Sequence, residues 1–440
     1  MNPQKKGFLR EWKGEKLMET KRLDRVKKSV NLHLAMEAKE MLKKIEEDFP
    51  DNPVSMDYFY GLYRRVYSEG KPLETEKQVI GTMCRQVPEE LIYAAGAVPV
   101  RICNGAYAFD QVGAEFMPSK SCSLVKATMG MMQLNQFVST KSPDMVIIPT
   151  TCDQKRKAGE LLSEMGFNVY MLEAPPTKDT EEARHYWHNS IKKFALKLQE
   201  TTGQRITRTS LTKAVNKLNK ARQEYRRLLN LRLSSPSLIY GKDVFLLTNA
   251  YFFDDINSWT RAVSDLNDEL ERKKSDGLSA GNRHAPRFLF TGSPPIFPNL
   301  KLPLLIEETG GMVVADDVCS STRLLYDTVT FDEANLYDII PAIADRYLKP
   351  CTCPCFVPNS DRKRRLIEMV KDFAVDGVIY QAYSGCQLYE MEQRSVSNSL
   401  ANEGIPMLYI ETDYSPEDGG QLSTRVEAFI ESIKSKKRRK

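Results

Sequence analysis

Short apolar runs alternate with amphipathic stretches in two separate parts of the chain. In the first part, three runs have the length and β-branched character of buried strands: "GAVPVRIC", "DMVIIPT" and "NVYMLEAP". The stretches between them, "SLVKATMGMMQLNQF" and "QKRKAGELLSEMG", have helical spacing. The second part repeats the alternation, with "RFLFTGSPP", "GGMVVADDVC", "DGVIYQAYSGC" and "IPMLYIETDY" as strands that run into loops. Strands separated by helices of this length predict parallel βαβ units.

Two charged stretches with helical periodicity complete the pattern, "RVKKSVNLHLAMEAKEMLKKIEEDF" near the start and "LTKAVNKLNKARQEYRRLLNLR" in the middle. The sequence therefore predicts an α/β fold with two parallel-sheet domains. We expect an N-terminal helical region (1–75), a first α/β domain (76–180), a helical connector (181–282) and a second α/β domain with a basic C-terminal tail (283–440).

Composition and charge narrow the class of protein. The 440 residues, 41% hydrophobic and 28% charged, are typical of a globular protein of two or three domains. No apolar run approaches the length of a membrane span, and the basic start has no apolar core of a secretory signal. We therefore expect a cytoplasmic protein that does not contact membranes. The net charge of +5 owes much to "KSKKRRK". We interpret this segment as a solvated, frayed tail, with docking to an acidic partner or nucleic acid as the less favoured alternative.

The nine cysteines are the most informative residues, because six of them share a spacing. Cys84, Cys122 and Cys152 are separated by 38 and 30 positions, and Cys319, Cys355 and Cys386 by 36 and 31. One βα repeat takes about 30 residues or more. Each cysteine would thus occupy a corresponding place in successive units. Three thiols would then converge at one sheet edge in each half.

An all-thiolate set with no neighbouring histidine favours an iron–sulfur cluster. Zinc bound by four cysteines usually shows close Cys-x-x-Cys pairs, which are absent here. A set of buried small hydrophobic cysteines is the remaining alternative. The segment "CTCPCF" places Cys351, Cys353 and Cys355 together, and we expect one of these three to face the site.

Three segments resemble successive signatures of the 2-hydroxyacyl-CoA dehydratase and benzoyl-CoA reductase family: "CRQVPEELIYAAGAVPVRICNG", "TTCDQKRKAGELL" and "GIPMLYIETDYSPEDGGQLSTRVEAFIE". The resemblance covers about residues 76–175 and 285–433. It implies two flavodoxin-like domains with an iron–sulfur cluster between them, and a separate ATP-hydrolysing activator that has its own cluster and delivers low-potential electrons. The six-cysteine pattern resembles the double-cubane branch, in which a bridging sulfide joins two 4Fe-4S units into an 8Fe-9S cluster.

The resemblance assigns the six cysteines to two cubanes. Cys84, Cys122 and Cys152 would bind one, and Cys319, Cys355 and Cys386 the other. Cys355 is preferred to Cys353 because "CFVPN" resembles a segment of that branch. The chain departs from the family pattern at four positions: Gln86, Gln154, Gly385 and Gln387.

The sequence does not identify the catalytic residues. Glu89 and Glu90 are candidates for proton transfer, with acids that stabilise a helix N-terminus as the alternative. Arg101, Lys126 and Arg323 are candidates for neutralising the cluster or binding an anionic substrate, with surface salt bridges as the alternative.

The predicted function is that of an anaerobic, homodimeric iron–sulfur oxidoreductase that reduces a small substrate. The alternative is a dehydratase or benzoyl-CoA reductase subunit that acts on a CoA thioester. A third, non-catalytic interpretation is an electron-storage or maturation protein. Because no phosphate loop of the G-x-x-x-x-G-K type occurs, we expect ATP hydrolysis on the activator.

Overall fold

Two four-stranded parallel sheets form the centre of the fold. The computed structural model describes residues 3–72 and 74–438, and their side chains within 21–72 and 74–437. The strands are β1 (Val79–Thr82), β2 (Val98–Arg101), β3 (Met145–Pro149), β4 (Val169–Leu172), β5 (Arg287–Gly292), β6 (Met312–Asp317), β7 (Gly377–Tyr383) and β8 (Met407–Thr412). Their orders are β2-β1-β3-β4 and β6-β5-β7-β8. Both orders match the first four strands of the flavodoxin-like order, which confirms the predicted α/β class with two parallel sheets.

Helices cover both sheets. The described part of the chain forms α1 (Pro3–Glu47), α2 (Asp57–Tyr63), α3 (Glu89–Ala94), α4 (Tyr107–Ala114), α5 (Ser123–Leu134), α6 (Asp153–Glu164), α7 (Glu181–Thr202), α8 (Arg208–Arg232), α9 (Gly241–Ala250), α10 (Ile256–Ser275), α11 (Lys301–Glu308), α12 (Thr322–Leu325), α13 (Leu336–Leu348), α14 (Ser360–Asp372), α15 (Gln387–Asn402) and α16 (Gly419–Arg438). The short helices η1 (Val54–Met56) and η2 (Arg64–Ser68) flank α2.

The apolar pattern predicted seven of the eight strands and missed β1. This strand has only the four residues "VIGT", in which glycine and threonine weaken the strand signal. All four are buried, and β1 pairs with both β2 and β3 at the centre of its sheet. Burial between two neighbouring strands therefore outweighs the weak local preference.

Helix α9 packs against the second sheet. Helix α9 is buried along its whole length. Its first residue, Gly241, lies so close to Val313 of β6 that an added Cβ would be 2.5 Å from the valine Cβ. The Glu307 carboxylate accepts hydrogen bonds from the backbone N–H groups of Gly241 (2.6 Å) and Lys242 (3.0 Å). These bonds satisfy amide groups that a helix leaves free at its N-terminus.

The C-terminal segment is more ordered than predicted. Helix α16 continues to Arg438, and Lys437 pairs with Asp376 at 2.6 Å. The interpretation of "KSKKRRK" as a frayed tail is therefore wrong as far as Arg438, and residues 439–440 lie outside the described part of the chain. Within the described residues, no helix combines the length and apolar character needed to cross a membrane.

Candidate metal centre

All six predicted cysteines line one cavity of about 260 Å³ between the two halves of the chain: Cys84, Cys122, Cys152, Cys319, Cys355 and Cys386. Four of them follow the carboxyl ends of strands β1, β3, β6 and β7. Ligands of open parallel sheets bind at this edge, where the strand order reverses. The shared spacing of the cysteines thus brings residues that are distant in sequence to one place.

Three of these cysteines also occupy the position just before a helix. Cys122, Cys152 and Cys386 are the N-terminal caps of α5, α6 and α15. The free amide groups and the dipole at a helix N-terminus stabilise negative charge. This placement favours the thiolate, which is the form of cysteine that binds metal, but burial outweighs it at Cys152 and raises the pKa of that thiol.

One thiol pair joins the two halves. The interaction between the two thiols raises the pKa of Cys122 and lowers that of Cys386. The resemblance assigns Cys122 and Cys386 to different cubanes. The interaction therefore joins a predicted ligand of one cubane to a predicted ligand of the other.

Gln154, in the first turn of α6, also connects the two halves. Its side-chain oxygen accepts a hydrogen bond from the Cys122 N–H (2.8 Å), and its side-chain nitrogen donates to the Gly385 carbonyl (2.7 Å). Gly385 has a φ of +79°, and a Cβ there would lie 2.0 Å from the Lys120 carbonyl oxygen. Gln154 and Gly385, two of the departures from the family pattern, therefore both serve the contact between the halves.

The cysteine-rich segment differs from the prediction. Both Cys353 and Cys355 line the cavity, so the expectation that only one of the three cysteines faces it is wrong. The interaction with the neighbouring Cys355 thiol lowers the pKa of Cys353 to about 6. The chain turns at Pro354, so alternate residues do not point to opposite sides as they would in a strand. Cys351 is buried outside the cavity lining, where its sulfur accepts a hydrogen bond from Gln86 at 3.7 Å.

The two candidate acids lie away from the cavity and connect α3 to other elements. The Tyr251 hydroxyl donates to Glu89 (2.6 Å), and burial raises the pKa of Glu89. Glu90 accepts hydrogen bonds from Arg222 (2.6 Å) and the Tyr347 hydroxyl (2.8 Å). Burial opposes the ionisation of Glu90, but the Arg222 charge holds its pKa below the usual value.

The three candidate cations are buried rather than exposed, and none belongs to the cavity lining. The Arg101 guanidinium lies 4.8 Å from the centre of the Phe252 ring. Lys126 pairs with Asp110 at 3.5 Å. Arg323 donates to the Asp317 carbonyl at 2.7 Å. Each of these side chains therefore has a protein partner.

The sequence reasoning missed three cations of the cavity lining: Arg85, Lys155 and the exposed Arg156, which pairs with Asp153 at 3.5 Å. The first two are the informative ones. The Arg85 side chain is 1% exposed, and its three guanidinium nitrogens have no hydrogen-bond partner among the described residues. Lys155 lies in the first turn of α6, where the helix dipole disfavours a cation. Their positions next to Cys84 and three residues after Cys152 were the available signal.

The family described as "2-hydroxyglutaryl-CoA dehydratase, D-component" matches residues 84–433. The chain belongs to this family. This match confirms the resemblance noted in the sequence.

Curated relatives align over most of their length and of this chain. The putative dehydratase subunit YjiM of Escherichia coli K12 is 29% identical over 81% of this chain and 91% of the relative. The (R)-2-hydroxyglutaryl-CoA dehydratase subunit beta of Acidaminococcus fermentans is 25% identical over 81% and 93%. A benzoyl-CoA reductase subunit of Thauera aromatica is 24% identical over 83% and 93%.

The lining of the cavity in this D-component family member contains seven thiols. Among the described residues, no group of three or more His, Cys, Asp or Glu side chains is placed to hold one metal ion. Iron–sulfur groups are bound by cysteine thiolates, so the chemistry of this lining fits such a group. The unpaired Arg85 guanidinium suits the negative charge of such a group.

Proposed function

We propose that the chain is an iron–sulfur reductase of the double-cubane type that receives low-potential electrons from an ATP-dependent activator and reduces a small substrate. The observation that carries the proposal is the convergence of thiols from both halves on one cavity. The proposed ligands are those predicted from the sequence: Cys84, Cys122, Cys152, Cys319, Cys355 and Cys386. Cys353 is the alternative to Cys355, because both line the cavity.

The group would supply one-electron transfer at low potential. The protein holds Cys122, Cys152 and Cys386 at helix N-termini and buries Cys84 and Cys122, and such surroundings tune the group. The hydrogen bonds from Gln154 fix the spacing between the Cys122 loop and the Gly385 turn. Both halves are needed, because each contributes thiols to the same cavity.

The size of the cavity supports a small substrate. Pockets that bind drug-sized ligands measure about 300–1,000 Å³. The thiol cavity, at about 260 Å³, is smaller than that range before any cluster is bound. A second candidate function, a subunit that acts on a CoA thioester, is favoured by the names of the dehydratase and reductase relatives. We also propose that the protein works in the cytoplasm as an anaerobic homodimer.

Iron and sulfide analysis after anaerobic purification tests the cluster. We expect the wild-type chain to retain both elements and Cys355→Ser to lose iron. Cys351→Ser is the matched control, because Cys351 belongs to the same segment but lies outside the cavity lining. Equal iron in Cys355→Ser and wild type would mean that Cys355 is not a ligand, and Cys353→Ser would then identify the thiol that is.

The electron donor is tested by anaerobic spectroscopy with and without an activator and ATP. We expect no ATPase activity from the isolated chain, and cluster reduction in step with ATP hydrolysis when the activator is present. Equally fast reduction without ATP would refute the proposed donor. Turnover of a 2-hydroxyacyl-CoA or benzoyl-CoA, and not of small molecules, would favour the second candidate function.

A further inference from the structure

Arg85 is a buried cation without a protein partner. Its side chain is 1% exposed, and none of its three guanidinium nitrogens makes a hydrogen bond to the described residues. Buried charges are retained in proteins when an opposite charge compensates for the lost hydration. Arg85 lines the thiol cavity directly after Cys84. Asp327 attracts the Arg85 charge from beyond salt-bridge distance, so an anion in direct contact with Arg85 would lie in the cavity.

Lys155 is a second cation of the same cavity. Within the described residues it has neither a salt bridge nor a hydrogen bond through its ammonium group. Burial opposes its charge, but the thiols of Cys84 and Cys152, when ionised, raise the pKa of Lys155 well above its usual value. Its neighbours on α6 differ, because Arg156 and Lys157 are exposed and pair with acids at 3.5 and 2.7 Å.

Other buried cations near the cavity are already neutralised by the protein. Arg323 lies 3.4 Å from the Asp317 carboxylate, which also pairs with Arg362. Arg362 has Glu392 as a second partner at 2.8 Å. Arg85 and Lys155 therefore stand apart as cavity-lining cations with charge left to compensate.

We propose that Arg85 and Lys155 are positioning residues that neutralise an anionic cluster in the thiol cavity and thereby raise its reduction potential. This inference rests on the proposed function. Thiolate ligands give such a cluster a negative charge, and each added electron makes it more negative. A cation held beside it, away from water, stabilises the reduced form more than the oxidised form. Removing the cation should therefore shift the midpoint potential to a more negative value.

The test compares Lys155→Met with Lys157→Met, which removes an exposed cation from the same helix. Midpoint potentials are measured by anaerobic redox titration followed by electron paramagnetic resonance, together with the iron content per chain. We expect a more negative midpoint for Lys155→Met, a wild-type value for Lys157→Met and recovery towards wild type in Lys155→Arg. A merely structural role would lower iron content or stability without moving the midpoint of the cluster that remains.

The outcomes separate this inference from the function on which it rests. Wild-type protein that retains iron, with the same midpoint in Lys155→Met, overturns the role of Lys155 and leaves the proposed function standing. Wild-type protein without iron overturns both. Arg85→Met should also lose iron or shift the midpoint, and circular dichroism checks its folding. Full iron and an unchanged midpoint in folded Arg85→Met would refute the role of Arg85; if that variant fails to fold, the Lys155 variants decide.

Discussion

The two halves of the protein share a strand order but treat their buried charges in opposite ways. At the end of β6 in the second half, Asp317 pairs with Arg323 and Arg362, and the preceding Asp316 pairs with Arg232 at 2.7 Å. In the first half, Arg85 after β1 has no partner among the described residues. Each of these buried arginines in the second half therefore has a carboxylate partner, whereas Arg85 in the first half has none within salt-bridge distance among the described residues.

The buried charges of the two halves are therefore stabilised by different partners. The carboxylates of the second half hold the loop of Cys319 whether or not the cavity is filled. The cations of the first half, Arg85 and Lys155, have no salt bridge among the described residues, and an anion in the cavity would supply a partner. Substitutions in the iron-free protein should separate these two cases.

The largest effect is expected for Asp317→Ala, which leaves Arg323 and Arg362 without their shared carboxylate. Breaking a buried ion pair by removing one partner costs about 3–5 kcal/mol. Urea unfolding of the iron-free protein measures the loss. Asp153→Ala, which removes an exposed acid that pairs with Arg156, should cost less than about 1 kcal/mol. Similar losses in the two variants would contradict the difference between the halves.

Gly385→Ala tests the contact between the halves. An alanine there would adopt a φ of +79° and place its Cβ 2.0 Å from a backbone oxygen, that of Lys120. We expect a loss of about 2–4 kcal/mol in the free energy of unfolding, from backbone strain together with overpacking. Gly404→Ala is the control, because it has a φ of +71° but no neighbouring atom within 4 Å, and should cost about 1 kcal/mol. Equal losses would show that the close approach is relieved without strain.

Arg85→Met should change the free energy of unfolding in the opposite direction to a matched substitution in the second half. In the iron-free protein it removes an uncompensated buried charge, so we expect no loss of stability and a gain of about 1 kcal/mol. Arg362→Met, the matched control, should destabilise the protein, because it leaves Asp317 and Glu392 without that partner. Urea unfolding of both variants makes the comparison. A destabilised Arg85→Met would mean that Arg85 is compensated within the protein.

The smallest effect on stability is expected for a partly exposed ion pair. It shows how little a charge near the surface contributes compared with a buried one. Asp345 of α13 accepts from Arg184 (2.7 Å) and His188 (2.7 Å) of α7. Burial opposes its ionisation, but the Arg184 hydrogen bond lowers the pKa of Asp345 to about 2.

Because this pKa is depressed, the pair stabilises the fold above about pH 4 and loses its effect as the pH falls towards 2. Asp345→Asn should therefore be less stable than wild type by under about 1 kcal/mol at pH 6. The difference should shrink in acid. A difference that is independent of pH would exclude the charge as its cause.

The sequence by itself determined the elements of the fold and the set of thiols. The pattern of apolar residues in a strand or helix reflects which of its faces are buried, and this pattern can be read locally. Seven of the eight strands were therefore predicted. The cysteine spacing was informative because a βα repeat has a nearly fixed length and parallel strands end at one edge. It predicted that three thiols converge in each half, and the resemblance implied that the two sets meet between the domains, where all six line one cavity.

Only the tertiary structure decided how those thiols are grouped and which charges face them. The contact of Cys122 with Cys386 and the bridge from Gln154 to Gly385, which are 231 positions apart, depend on how the two sheets meet. No local pattern encodes that geometry. The same holds for Arg85. Whether a buried charge has a partner depends on all the elements that pack around it, and these come from distant parts of the chain. Partners across the interface, and their absence, arise when the whole chain is folded.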